Sequence, residues 1–144
     1  MINISKQNLK KIINFAEADY PSECCGLLAG LKKTKNIIQV SRVIPSRNIS
    51  EGNIKDTFEV DPQVHFNLLR LLNGTEEIII GHYHSHPNQP ATPSETDKSM
   101  IYDAELIWLI TSVYHGKVFD TRAYAPNQNS SGFKPKNLQV LVDV

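Results

Sequence analysis

The sequence has few cysteines, no long apolar run and no excess of charge of either sign. Its only two cysteines, Cys24 and Cys25, are adjacent, and neighbouring cysteines rarely bridge each other and cannot link distant segments. No apolar run approaches the roughly 20 residues that cross a bilayer. Residues 1–6 lack the basic, apolar and small-residue succession of a secretory signal. These absences predict a reduced, cytoplasmic protein without disulfides and without a membrane partner.

Lys plus Arg and Asp plus Glu number 15 each, so the formal net charge is zero. That balance argues against a nucleic-acid binder whose affinity comes from a broad basic face. The chain has 144 residues, of which 40% are hydrophobic, and both values are ordinary for one globular domain. Because no repeat or linker-like change of composition interrupts the chain, we expect a single domain over residues 1–144.

Apolar periodicity predicts an α/β domain. One helix is expected over residues 5–18 with Ser5 as N-cap, and a second begins at Asp61 and ends before Asn73. Three prolines within residues 87–93 predict a loop, and a short helix is expected from there to about residue 102. Apolar and β-branched runs predict strands over residues 24–31, 37–44, 77–83, 106–113, 117–125 and 138–142. The expected architecture is a mixed central sheet with two main helices.

Two histidines, His84 and His86, stand at the end of a predicted strand. Residues two apart on a strand point to the same face, so these imidazoles can converge on one point. Asp97 is near enough in sequence to return toward that point from the first turn of the helix after the proline loop. Two imidazoles and a carboxylate leave the fourth tetrahedral position of a zinc ion open. The pattern therefore predicts a metal site with catalytic capacity.

Each half of this pattern also has a simpler interpretation. A His-x-His pair alone is typical of two half-exposed strand residues, and Ser94-x-x-Asp97 alone is typical of a helix N-cap. The combination, with seven residues between His86 and Ser94, is much rarer by accident than either half. His82 falls on the same strand face as His84, so His82 with His84 is an alternative pair of ligands.

The stretch His84–Pro87, followed by Ser94 and Asp97, resembles the signature of the JAMM/MPN+ (Mov34/MPN/PAD-1) zinc metallopeptidases. That signature has a further upstream glutamate, which Glu23 matches ahead of a glycine-bearing strand. The resemblance covers nearly the whole chain and is nearest to stand-alone prokaryotic members. It implies a single MPN domain, of cytidine-deaminase-like fold, with a short helix after the metal-binding loop. It also implies one Zn²⁺ per chain held by His84, His86 and Asp97.

The resemblance further implies the catalytic roles. Glu23 would be the general base and acid, and Ser94 would donate a hydrogen bond to the developing oxyanion. The spacing to Ser94 and Asp97 favours His84 with His86 as ligands and leaves His82 as a packing or supporting residue. MPN+ enzymes cut amide or isopeptide bonds at the C-terminal Gly-Gly tail of ubiquitin-like proteins, and some prokaryotic members process sulfur carriers. The expected partner is such a carrier, its tail flanked by loops 45–56 and 87–93.

Three other functions compete with this interpretation. A non-catalytic MPN scaffold usually lacks the metal ligands that this chain retains. A nucleotide deaminase usually needs a His-x-Glu and a Pro-Cys-x-x-Cys, and the sequence has neither. A DNA-associated JAMM-like protein is disfavoured by the neutral charge.

Cys24 and Cys25 point to opposite faces of a strand and are expected to pack. Zinc itself is an inference, because two histidines and an aspartate also accept other divalent ions.

Overall fold

The structure is a computed structural model, and it describes residues 1–142. These residues form eight strands and three helices. The strands are β1 (Ile2–Ser5), β2 (Cys25–Thr34), β3 (Ile37–Ser46), β4 (Ile78–Pro87), β5 (Ile107–Tyr114), β6 (Lys117–Pro126), β7 (Phe133–Lys136) and β8 (Leu138–Leu141); the helices are α1 (Lys6–Asp19), α2 (Pro62–Leu72) and α3 (Glu95–Ser99). The last two residues of the predicted domain, 143 and 144, lie outside the described residues.

All eight strands join one sheet in the order β7-β6-β5-β4-β2-β3-β1-β8. β4 is parallel to β5, and β1 is parallel to β3 and β8, whereas the other neighbours are antiparallel. The predicted α/β class is therefore confirmed, with a mixed central sheet, two main helices and a short one. Within residues 1–142, none of the helices has the length and apolar character needed to span a membrane.

The two main helices begin where their capping residues predict. The Ser5 side chain accepts a hydrogen bond from the N–H of Asn8 at 3.0 Å, and Asp61 caps α2 ahead of Pro62. α1 packs in a cluster that contains Leu28, whereas α2 packs in a cluster that contains Leu27. Because successive strand residues point to opposite faces, the two helices cover opposite faces of the sheet.

Three local features differ from the sequence prediction. β1 and β7 were not predicted, because β1 has only two apolar residues and runs directly into α1, and β7 is polar. α3 ends at Ser99 rather than near residue 102, since Met100 and Ile101 leave the helix and pack against the cluster around Trp108. β4 continues to Pro87, so His84 and His86 both lie within the strand.

The parallel contact between β4 and β5 is close at Gly81. A Cβ atom at this position would lie 2.1 Å from the carbonyl oxygen of Ile107, far inside van der Waals contact. A side chain there would have to push the two strands apart, just upstream of the histidines.

We predict that Gly81→Ala lowers the free energy of unfolding by about 1–3 kcal/mol, the usual cost of overpacking. Urea denaturation followed by circular dichroism measures the difference. Gly132→Ala is the matched control, because its Cβ would meet only the side-chain amide of Asn127, at 3.3 Å. Equal unfolding free energies for the two variants would contradict the close approach of β4 and β5.

Candidate metal centre

β4 lies in the interior of the sheet, paired with β2 on one side and β5 on the other. The strand alternation places His82, His84 and His86 on one face, and all three are buried. The Nε2 atoms of His84 and His86 are 3.1 Å apart. Hydrogen bonding on both edges fixes the backbone of β4, so the sheet sets the direction in which both imidazoles leave the strand.

Asp97 reaches the two imidazoles from the first turn of α3. Its Oδ1 lies 3.2 Å from Nε2 of His84, and its Oδ2 lies 3.0 Å from Nε2 of His86. The same residue completes a capping box: the N–H of Ser94 donates to Oδ2 at 2.9 Å, and the N–H of Asp97 donates to Ser94 Oγ at 3.0 Å. The helix-cap and metal-ligand interpretations of this pair are thus compatible, because the cap orients the carboxylate toward the histidines.

His86 is oriented by the proline loop that follows it. Its Nδ1 lies 2.9 Å from the carbonyl oxygen of Pro90, and a carbonyl can only accept a hydrogen bond. Nδ1 therefore donates to Pro90, which leaves Nε2 as the ring nitrogen that faces Asp97 and that can bind a metal once it has no proton. The hydroxyl of Tyr124 donates to the neighbouring carbonyl of Ala91 at 2.7 Å and holds this part of the loop.

His84 is oriented by aromatic packing instead. Its ring stacks on Phe58 with a centroid separation of 4.2 Å and an interplanar angle of 15°. His82 packs edge-on against Trp108 at 4.2 Å and lies outside the group of converging donor atoms. The geometry therefore joins His84 to His86 and leaves His82 in the aromatic cluster. No sequence signal identified Phe58, because an isolated aromatic residue after a polar loop is typical of any core.

The electrostatics suit a cation at this point. Burial disfavours the ionised form of Asp97, but the charge of His84 and hydrogen bonds from both histidines and Ser94 hold its pKa well below the usual range. Burial lowers the pKa of His84. Burial also acts against protonation of His86, but its bonds to Asp97 and Pro90 outweigh this and raise its pKa. A metal ion would therefore compete with a proton for the same position.

The donor atoms of His84, His86 and Asp97 all lie within 4.8 Å of one another. At zinc–ligand distances of 2.0–2.1 Å, neighbouring ligand atoms of a tetrahedron are about 3.3 Å apart. The observed separations of 3.0 to 3.2 Å are close to that value. The three residues fit a divalent cation that prefers nitrogen and oxygen ligands.

Glu23 lies beside this group but not within it. Its side chain is buried, and its Oε1 has no hydrogen-bond partner within residues 1–142. Burial raises the pKa of Glu23 to about 8, an effect that the charge of His86 opposes and that of Asp97 reinforces. A buried carboxyl group with an unpaired oxygen next to a cation site is a candidate proton carrier.

The two cysteines take no part in this cluster. Both thiols are free and buried, and burial raises the pKa of each to about 12. A thiol with so high a pKa is a poor nucleophile and a poor metal ligand at neutral pH. The packing role expected for Cys24 and Cys25 agrees with their surroundings.

Residues 5–126 match the model of a family described as prokaryotic homologs of the JAB domain. The chain belongs to this family. It is 30% identical over 97 residues to the desampylase of Haloferax volcanii, a match that covers 67% of each chain. It is 24% identical over 116 residues to the CysO-cysteine peptidase of Mycobacterium tuberculosis (strain H37Rv), covering 78% of this chain and 74% of that protein.

Two solved structures share the fold. The protein DSY2949 of Desulfitobacterium hafniense superposes with a TM-score of 0.85 at 26% identity, over 100% of this chain and 95% of that one. AF2198, a JAB1/MPN domain protein of Archaeoglobus fulgidus, superposes with a TM-score of 0.62 at 22% identity, over 96% and 98% of the two chains. These likenesses confirm the MPN fold that the JAMM resemblance implied.

The alternative pairs of ligands make different predictions for metal binding. We expect His84→Ala to weaken zinc binding by more than about 100-fold, because it removes a ligand rather than a supporting contact. His82→Leu should keep wild-type affinity and stoichiometry, because it replaces a packing residue. Competition with a chromophoric chelator measures both. Loss of zinc in His82→Leu with retention in His84→Ala would assign the site to His82 and His84 instead.

Proposed function

We propose that this protein is a zinc-dependent peptidase that hydrolyses an amide bond at the C-terminal Gly-Gly tail of a ubiquitin-like or sulfur-carrier protein. His84, His86 and Asp97 would hold one zinc ion per chain. The observation that carries the proposal is the convergence of these three donors beside the buried, unpaired Glu23. Membership of the JAMM class makes the protein a peptidase-type hydrolase; the metal, the residue roles and the substrate are the proposal.

A zinc ion in this site would supply Lewis acidity, polarising the scissile carbonyl and lowering the pKa of a water molecule toward about 7. Glu23 would take the proton from that water as it attacks the carbonyl carbon. The charge of His86 favours the carboxylate form of Glu23, against the burial and the charge of Asp97 that raise its pKa. Glu23 would then give the proton to the departing amine, acting as base and acid in turn.

The proposal gives Ser94 the role of stabilising the developing oxyanion. Its Oγ accepts the N–H of Asp97 at 3.0 Å, so that bond leaves the hydroxyl proton available to donate elsewhere. Its own N–H is used to orient Asp97. The capping geometry therefore supports the proposed role of Ser94, a hydrogen-bond donor to the carbonyl oxygen of the substrate.

The depth of the site favours a substrate with little side-chain bulk. Glu23, His84, His86 and Asp97 expose only 0% to 3% of their surface, so a bulky residue at the scissile bond would not reach them. Two glycines at the end of a carrier tail have no side chains and would reach them. The desampylase and the CysO-cysteine peptidase carry names that point to such carriers, which supports the substrate class. The intact donor set argues against the scaffold alternative.

The two loops expected to flank the tail both contact residues of the site. The N–H of Glu23 donates to the carbonyl of Ile54 in the first loop, and His86 donates to Pro90 in the second. A tail laid between these loops would run beside a strand and gain main-chain hydrogen bonds, the mode of β-augmentation. We place this reaction in the cytoplasm, where reduced Cys24 and Cys25 would persist.

Cleavage should depend on zinc and on Glu23 separately. Intact-mass spectrometry would follow removal of cysteine or a short peptide from the Gly-Gly end of a sulfur carrier. We expect chelator to abolish cleavage, and Glu23→Gln to reduce it to a residual rate that is measurable with excess enzyme, while keeping one zinc per chain. Ser94→Ala should lower kcat by about 100- to 1,000-fold, the cost of losing one oxyanion donor. His65→Ala, on α2, is the control and should cleave at the wild-type rate with one zinc per chain.

Two outcomes would contradict the proposal. Equal loss of zinc in Glu23→Gln and His84→Ala would show that Glu23 is a ligand rather than a proton carrier. Absence of both zinc and cleavage, even after metal is supplied, would favour the scaffold alternative. Restoration of the chelated enzyme by another divalent ion in preference to zinc would correct the metal and keep the mechanism.

A further inference from the structure

The position of Glu23 is set by its main chain. Its Oε1 has no hydrogen-bond partner within residues 1–142, whereas its backbone is held on both sides. The N–H of Glu23 donates to the carbonyl of Ile54 at 2.7 Å, and its carbonyl accepts from Nδ2 of Asn48 at 3.2 Å. The next N–H, of Cys24, donates to Ser85 Oγ at 2.8 Å. The carboxyl group therefore depends on these backbone contacts for its place beside the metal ligands.

Asn48 uses the whole capacity of its side-chain amide. Nδ2 donates to the carbonyls of Glu23 and Thr57, the latter at 2.8 Å. Oδ1 accepts from the N–H groups of Ser50 at 3.1 Å and Glu59 at 3.0 Å. Two carbonyls surround one end and two N–H groups the other, so the orientation of the amide is fixed by its partners. A carboxylate at this position would lack the two N–H donors that the carbonyls of Glu23 and Thr57 accept.

These bonds close the segment 48–59 into a loop that touches the site twice. The loop carries Ile54, whose carbonyl holds the N–H of Glu23, and Phe58, whose ring stacks on His84. A backbone bond between Ile49 and Glu59, at 3.0 Å, closes the same loop beside Asn48. One side-chain amide thus connects the loop, the backbone of Glu23 and, through Phe58, a histidine of the cluster.

We infer that Asn48 is a positioning residue for Glu23. Its side-chain amide binds the loop 48–59 to the backbone of Glu23. This contact holds the carboxyl group of Glu23 beside His84, His86 and Asp97. This inference rests on the proposed function for the role of Glu23. It assigns no contact between Asn48 and the substrate, because both of its donors are already satisfied by backbone carbonyls.

The first test is kinetic. Asn48→Ala should lower kcat by about 10- to 100-fold, since a shift of about 1 Å in a reacting group costs up to that much, with KM and zinc content close to wild type. Asn48→Asp keeps the oxygen that accepts from Ser50 and Glu59, so the turn is retained. It should still lose activity, because a carboxylate oxygen would face two carbonyls. Asn129→Ala, in the exposed β6–β7 turn where Asn129 also accepts a backbone N–H, should have wild-type kinetics.

A double-mutant cycle separates positioning from general damage. If Asn48 acts through Glu23, Asn48→Ala should cause no further loss in the Glu23→Gln background. Additive losses, or a rise in KM with unchanged kcat, would overturn the inference.

The second test does not depend on activity. Amide hydrogen exchange, read by NMR, should speed up by at least about tenfold at Glu23 in Asn48→Asp, because the bond to Ile54 loosens with the loop. Amides of β5 should stay protected. Unchanged exchange at Glu23 would overturn the inference even if no carrier substrate is found. A wild-type protein that cleaves nothing, with the exchange change present, would instead count against the proposed function alone.

Discussion

The 3.1 Å separation of two buried imidazole nitrogens is the constraint around which this protein is organised. Two unprotonated Nε2 atoms at that distance repel each other unless a cation or a proton lies between them. The carboxylate of Asp97, shared between the rings, adds the negative charge that makes the point attractive to a divalent ion. Holding such a group together requires a rigid support, which is supplied by the central strand β4.

Each member of the group is held by a different kind of contact. The pleat of β4 sets the direction of both histidines, the Pro90 carbonyl fixes the tautomer of His86, and the ring of Phe58 fixes the plane of His84. A capping box turns Asp97 toward them. Glu23 lies two residues before β2, whose first residue, Cys25, pairs with His84 of the antiparallel β4. The strand pleat and the capping box, which act locally, thus set the directions of His84, His86 and Asp97, whereas long-range contacts place Glu23 and set the ring plane of His84.

This division explains how much of the molecule could be predicted from its sequence. Capping residues act over a few positions and predict where the helices begin, at Ser5 and Asp61. The strand period is equally local and predicts that His84 and His86 lie on the same face. Glu23 is 61 positions from His84, so only the family resemblance indicated that they meet. β1 pairs with β3 and β8, which are distant in sequence, and its two buried isoleucines are too few to establish a strand period; β7 pairs with the preceding β6, but it is polar and carries no apolar pattern.

Asn48 and Phe58 could not be found from the sequence for the same reason. Both lie in or next to a polar loop, and their importance comes from what that loop touches. The loop connects Glu23 and His84 through one backbone carbonyl and one aromatic ring. The extent of the single domain, 1–144, and the roles of Glu23 and Ser94 stay predictions, supported by the geometry and by membership of the JAB family.

The most direct measurement is anomalous X-ray diffraction at the zinc absorption edge from crystals of the zinc-loaded protein. The account predicts one strong anomalous peak per chain, within about 2.0–2.2 Å of His84 Nε2, His86 Nε2 and an oxygen of Asp97. Glu23 should lie beyond ligand distance. A peak coordinated by His82, a peak coordinated by Glu23, or no peak within this cluster would contradict it.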